Sequence, residues 1–232
     1  MFGSGTFQPW SVADLDEDGS PHWDRPSNDA PNANIGYQLI GSGMLSDAPG
    51  SISFYGEPFE SGRDAGGEET VDFYFESAGS KLAFELNLEV SAFSDINAVG
   101  WYDVDRPGDM NLLIEGSADS GHSIVFQPSA AFGLYLVSGD GQTYFTESSL
   151  NPIREQSHQH FSLFSESEQP GHEIYWLGVE DLSVSQLNQN EGGRGDYNDL
   201  VIRLQTIPEP STWALVLLSL IVTQRSLSRR SS

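Results

Sequence analysis

Residues 82–90 read LAFELNLEV. Leu82, Phe84, Leu86, Leu88 and Val90 alternate with Ala83, Glu85, Asn87 and Glu89. A period of two puts one set on a buried sheet face and the other toward water, as in a half-buried β-strand. The same rhythm holds in Val71, Phe73 and Phe75 against Asp72, Tyr74 and Glu76. Outward from these, short apolar and aromatic runs occupy 35–40, 52–55, 99–104, 111–115, 124–126, 134–137, 161–164, 174–179 and 200–204. Gly, Pro, Asn, Asp and Ser cluster between nearly all of them, as turns require. Up to residue 205 no sustained helical period with caps intervenes. Roughly eleven short strands at this spacing predict an all-β domain, a β-sandwich of jelly-roll-like form. Residues 11–34 and 57–69 lack periodicity and read as acidic, Gly- and Ser-bearing loops. No repeat of fixed period is present, which argues against a propeller or solenoid.

Composition narrows the chemistry. The 232 residues carry 34 acids against 10 bases, a net charge of −24, with no cysteine. Nucleic acid is excluded as the default partner, because its phosphates would be repelled where Lys and Arg are needed. Disulfides, Cys-based metal sites and thiol catalysis are excluded too. The charge is uneven. Residues 1–205 hold 33 acids and 7 bases, whereas residues 206–232 hold Glu209 against Arg225, Arg229 and Arg230. The sign of the charge and the hydropathy change together, so the chain divides into a body, 1–205, and a tail, 206–232.

The tail reads TIPEPSTWALVLLSLIVTQRSLSRRSS. Its apolar stretch at 212–223 is twelve residues, about 18 Å as a helix against a hydrocarbon core of ~30 Å. Extension over 211–228 gives a short span in which Arg225 snorkels to the headgroups. The alternative is a buried C-terminal core helix. Arginines at this end predict that it stays cytoplasmic and that the body lies outside. Pro208-Glu209-Pro210, then an apolar helix, then an Arg cluster resembles the PEP-CTERM protein-sorting signal of Gram-negative bacteria. That resemblance implies recognition of Pro208, Glu209 and Pro210 by an exosortase, and Arg225, Arg229 and Arg230 as the cytoplasmic stop. It places Trp213 at the membrane interface, and sends the body through transient inner-membrane anchoring to the cell surface or extracellular matrix. Such export needs a basic and apolar leader. Residues 1–12 supply neither, so the leader is expected upstream of Met1.

Scattered phrases of the body also resemble bacterial extracytoplasmic domains that precede this tail. They are His22-Trp23-Asp24, Asn34-Ile35-Gly36-Tyr37, Gly100-Trp101-Tyr102-Asp103, His160-Phe161, Leu177-Gly178-Val179-Glu180-Asp181-Leu182 and Asp196-Tyr197-Asn198-Asp199-Leu200-Val201. The resemblance attaches no biochemical activity.

Glu180, Asp181, Asp196, Asn198 and Asp199 concentrate hard oxygen donors near two strand ends. Calcium takes six to eight such oxygens. If the loop over 183–195 folds back, the two groups meet in one calcium site; otherwise they are Asx-turn caps and solvated acids. Asp14, Asp16 and Asp18, followed by Gly19, open like a calcium loop. The twelfth position is Arg25 rather than a bidentate Glu, which rejects an EF-hand and leaves a weaker calcium loop or a plain acidic one. His158 and His160, two apart, would share a strand face; without a third ligand they read as structural. Arg194-Gly195-Asp196 reads as a chance adhesion tripeptide. Trp10, Trp23, Trp101 and Trp176 would stack on sugars where exposed and otherwise belong to the core. No nucleophile elbow, H-E-x-x-H or phosphate loop occurs. The expectation is an exported, non-enzymatic module that binds glycan or matrix components. The alternative is a secreted glycan-active enzyme using a carboxylate pair.

Overall fold

The computed structural model describes residues 35–39, 44–49, 53–54, 73–75, 79–91, 93–116, 118, 120–156, 160–167, 174–183 and 197–207. Within them the domain is all-β apart from short helical turns, with ten strands in two antiparallel sheets. The six-stranded sheet has the order β1 (Ser53–Phe54), β8 (Phe161–Ser167), β9 (Ile174–Val179), β10 (Leu200–Thr206), β2 (Leu82–Glu89) and β5 (Ser123–Phe126). The four-stranded sheet runs β4 (Arg106–Ile114), β3 (Ala98–Asp103), β6 (Phe132–Val137) and β7 (Thr143–Phe145). A jelly-roll-like chain would send most consecutive strands to opposite sheets. Here β3–β4, β6–β7, β8–β9 and β9–β10 are consecutive and adjacent, so the connectivity is richer in hairpins than expected.

Between the sheets lies one core, built from alternate residues of both: Phe84 and Leu86 from β2, Leu134 and Leu136 from β6, Leu177 and Val179 from β9, Ile202 and Leu204 from β10. Phe73 and Phe75 are buried with Tyr74 between them less so, as alternation predicts. Phe75 forms an isolated bridge with Phe132, and the Phe73 N–H donates to the Thr146 carbonyl at 3.1 Å. Phe75 and Phe132 exchange both backbone bonds at 2.8 Å, and their rings stack with centroids 5.1 Å apart.

Two expectations about faces are corrected. Leu88 and Val90 do not continue the inward row of Leu82, Phe84 and Leu86. The register with β10 slips, Ile202 facing Leu86 and Val201 facing Leu88, so Asn87 is the extra residue of a bulge. A bulge reverses the side-chain alternation beyond it. Leu88 therefore packs in a second cluster with Phe164, Trp176 and Val201, and Val90 rests against it. Residues 35–40, read as a strand, are instead helical over Ile35–Leu39 (α1). Ile35 and Leu39, four apart, fall on one helical face, and both are fully buried in this second cluster. Gln38 Oε1 accepts from the backbone N–H groups of Met44 and Leu45 at 2.7 and 3.2 Å, tying the exit of the helix. β7 was not foreseen at all.

Candidate functional site

At the end of the sandwich where β2, β6 and β9 finish and β3, β8 and β10 begin, loops converge. β9 stops at Val179, leaving Glu180 and Asp181 beyond its last pair. Asn198 forms a parallel bridge with Val179, and Tyr197 before it takes a left-handed φ of 51°. The bridge brings Asn198 and Asp199 beside the end of β9. It sets Asp199 against Asp181, whose N–H donates to Asp199 Oδ2 at 2.8 Å. Carboxylate oxygens of Glu180, Asp181 and Asp199 lie within 4.8 Å of one another. Asn198 is buried beside them. Asp196, Asp14, Asp16 and Asp18 lie outside the described residues, as do His158, Arg194, Trp10, Trp23 and every tail residue named above. Among the described residues, no helix is long and apolar enough to cross a membrane.

Asp181 is the hub. Its Oδ2 accepts from Asn97 Nδ2 at 2.7 Å and from the Ser91 hydroxyl, and its carbonyl accepts from Ser138 Oγ at 2.7 Å. Asn97 Oδ1 in turn accepts from the Gly139 N–H at 3.0 Å. The β2–β3 loop is thereby fastened to the Asp181 carboxylate, and the β6–β7 turn and the start of β10 to its backbone carbonyl and N–H. Sequence reading missed Ser91 and Asn97, which stand 90 and 84 residues away; no local signal marks a partner at that distance. Glu180 Oε1 accepts from the Leu182 N–H at 3.2 Å. Concentrated negative charge has an electrostatic cost. The Glu89 carboxyl is pushed up to about 7, first by burial and then by the charges of Asp181 and Asp95. Three carboxylates this close are hard donors that a divalent cation would neutralise.

His160 serves the structure, as expected. It is buried, its Nδ1 lies 3.0 Å from the Glu180 carbonyl, its Nε2 lies 3.4 Å from Glu155 Oε2, and its ring stacks on Tyr144 at 3.6 Å. Beside this stack opens a hollow of about 470 Å³ between the β6–β7 turn and the turn at 152–155, with Ser183 on its wall. Asp140 and Gln142 come from the first turn; Pro152, Ile153, Arg154 and Glu155 come from the second. Asp140 Oδ1 accepts from the Gln142 N–H at 2.8 Å, and its Oδ2 from the Tyr144 hydroxyl at 3.2 Å. Burial, and then the charges of Asp140, Glu155 and Asp181, hold the Tyr144 hydroxyl far above the ordinary phenol range. Hollow and acidic cluster thus share one electrostatic environment. A second hollow, about 680 Å³, involves Leu112, Glu115 and His122 near the β4–β5 connection.

Of the tryptophans expected to offer stacking surfaces, Trp176 is buried beneath α1. Trp101 is half-buried against the core, beside Phe126 and Phe132. Neither is an exposed platform, because both neighbouring faces needed large apolar side chains.

No protein-family model matches the chain, and no curated protein does. Among solved structures, the chain has a likeness to the Chromobacterium violaceum lectin CV2L in complex with alpha-methyl-fucoside, at 11% identity and a TM-score of 0.37, over 60% of this chain and 98% of that one. The C-terminal domain of the BC2L-C lectin from Burkholderia cenocepacia shares 14% identity, with a TM-score of 0.36 over 60% and 97% of the two chains. The Ralstonia solanacearum high-affinity mannose-binding lectin shares 13%, with a TM-score of 0.36 over 59% and 96%. These likenesses assign no ligand to this chain.

Proposed function

We propose that this chain is an exported, non-enzymatic β-sandwich module that binds glycan or other matrix components and carries calcium at the Glu180, Asp181 and Asp199 cluster. The observation that carries the reading is the disposition of the carboxylates. Glu180 and Asp181 are 2% and 1% exposed, and the cluster's oxygens gather within 4.8 Å. Hydrolysis of a glycosidic bond needs two carboxyls flanking an accessible substrate, about 5–10 Å apart. Carboxylates gathered this closely, two of the three buried, suit an ion that braces the surrounding loops. Asn198, and Asp196 from the same run, would add oxygens to the set.

Melting the full chain with calcium and with chelator tests this. At a calcium concentration about 100 times Kd, the native state gains ~2.7 kcal/mol. The midpoint should rise with calcium, and the rise should disappear in Asp181→Asn and Asp199→Asn. A midpoint indifferent to calcium in the parent protein would sink the metal reading.

Export and sorting belong to the same proposal, supported by Pro208, Glu209, Pro210 and the arginines Arg225, Arg229 and Arg230. Residues 206–232 fused to a soluble exported reporter should carry it to the membrane fraction, with the tail lost where an exosortase is present. A reporter left soluble and whole in that host refutes it.

The glycan-active enzyme is the second reading, favoured by Asp140 and Glu155 lining one hollow. Both Asp140 oxygens already accept bonds, and Glu155 is buried facing His160. Release of new reducing ends from matrix polysaccharide, lost in Asp140→Asn, would establish it.

A further inference from the structure

We infer that the hollow between the β6–β7 turn and the turn at 152–155 is the saccharide site, and that it takes a terminal sugar of a neutral glycan. The inference rests on the glycan-binding reading above. A sugar hydroxyl donates and accepts at once, so its site needs acceptors and donors side by side together with an apolar surface for the C–H face of the ring. This hollow offers all three. Asp140 supplies carboxylate lone pairs beyond the two that accept from the Gln142 N–H and the Tyr144 hydroxyl, and Gln142 and Arg154 supply amide and guanidinium donors. Arg154 is exposed and makes no ion pair among the described residues, so its planar fork of donors is available. Ile153 stands 87% exposed, the most exposed of the large apolar side chains described, on the rim beside Pro152. It is an exposed apolar surface among the described residues.

Charge then selects the class. Asp140 and Glu155 line the hollow, Asp181 lies within electrostatic reach of the same Tyr144 hydroxyl, and the whole chain carries −24. One arginine does not offset that field, so a uronic-acid sugar is disfavoured against a neutral one.

The test uses the full chain, titrated with methyl glycosides of glucose, galactose, mannose and fucose and with sodium glucuronate, followed by calorimetry or saturation-transfer NMR. Retention on neutral matrix polysaccharide is measured in parallel. At least one neutral glycoside should bind, and Arg154→Ala and Ile153→Ser, both exposed positions, should each weaken it about tenfold or more with an unchanged melting midpoint. Glucuronate binding tighter than every neutral glycoside overturns the selectivity. Binding or retention that survives both substitutions overturns the hollow while glycan binding stands. No binding and no retention by the parent chain overturns both readings together.

Discussion

Gly178 shows how one residue controls the acidic turn. A Cβ there would lie 2.5 Å from the Tyr197 carbonyl, 2.5 Å from Ser162 Oγ and 2.9 Å from the Ile35 side chain. The backbone contact with Tyr197 is the one that cannot swing aside, and Tyr197 already holds a positive φ. Gly178→Ala should therefore cost about 1–3 kcal/mol, the range for overpacking a tight site. It should also weaken calcium binding by displacing Asp199; an alanine variant with the parent's midpoint and calcium response would contradict the packing. Glu89 gives the site a pH dependence. Its folded pKa is raised from 4.5 to about 7, so between those values the native state binds more protons than the unfolded chain. Stability from this group falls as pH rises across that window and stays low above it. In chelator, Glu89→Gln should raise the midpoint at pH 8 and change it little at pH 4. An equal effect at both would assign Glu89 no such role.

At the scale of elements, α1 and the β2 bulge act together. The bulge at Asn87 turns Leu88 outward, and α1 covers it with Ile35 and Leu39. The six-stranded sheet is thus packed on both faces near its centre. Leu39→Ala should cost about 2–5 kcal/mol, as for a buried core leucine, although the helix is only five residues long. Ile153→Ala, at an exposed position, should stay within about 0.5 kcal/mol in the absence of sugar. Denaturant midpoints decide it, and equal losses would mean that α1 is not a true cover. The alternation over 82–90 gave the strand but not the bulge, since an extra residue leaves no mark in a period-two pattern. Ile35 and Leu39 were ambiguous because five residues satisfy a strand and a helical turn alike. β7 has three residues, too few to show a period, and is recruited by pairing with β6.

Across the whole molecule, the acidic cluster is a clasp between the sheets. Asp181 joins the ends of β3 and β6 in one sheet to the ends of β2, β9 and β10 in the other. The chain's net charge of −24 repels itself. Raising sodium chloride from about 0.01 M to about 1 M shortens the Debye length from ~30 Å to ~3 Å. The chelated protein should therefore melt higher in salt, and calcium should exceed magnesium at matched ionic strength. A midpoint that falls with salt would mean attractive pairs outweigh the repulsion.

The sequence by itself determined the all-β class, most strand positions, the charge that turns nucleic acid away, and the acidic residues flanking two strand ends. These follow from periodicity, composition and turn chemistry, which are local. Only the tertiary structure decided which strands share a sheet, which face Leu88 takes, that Asp181 meets Ser91 and Asn97, and that Asp140 and Arg154 line one hollow. Those relations depend on segments tens of residues apart arriving at the same place, and register and packing alone fix that.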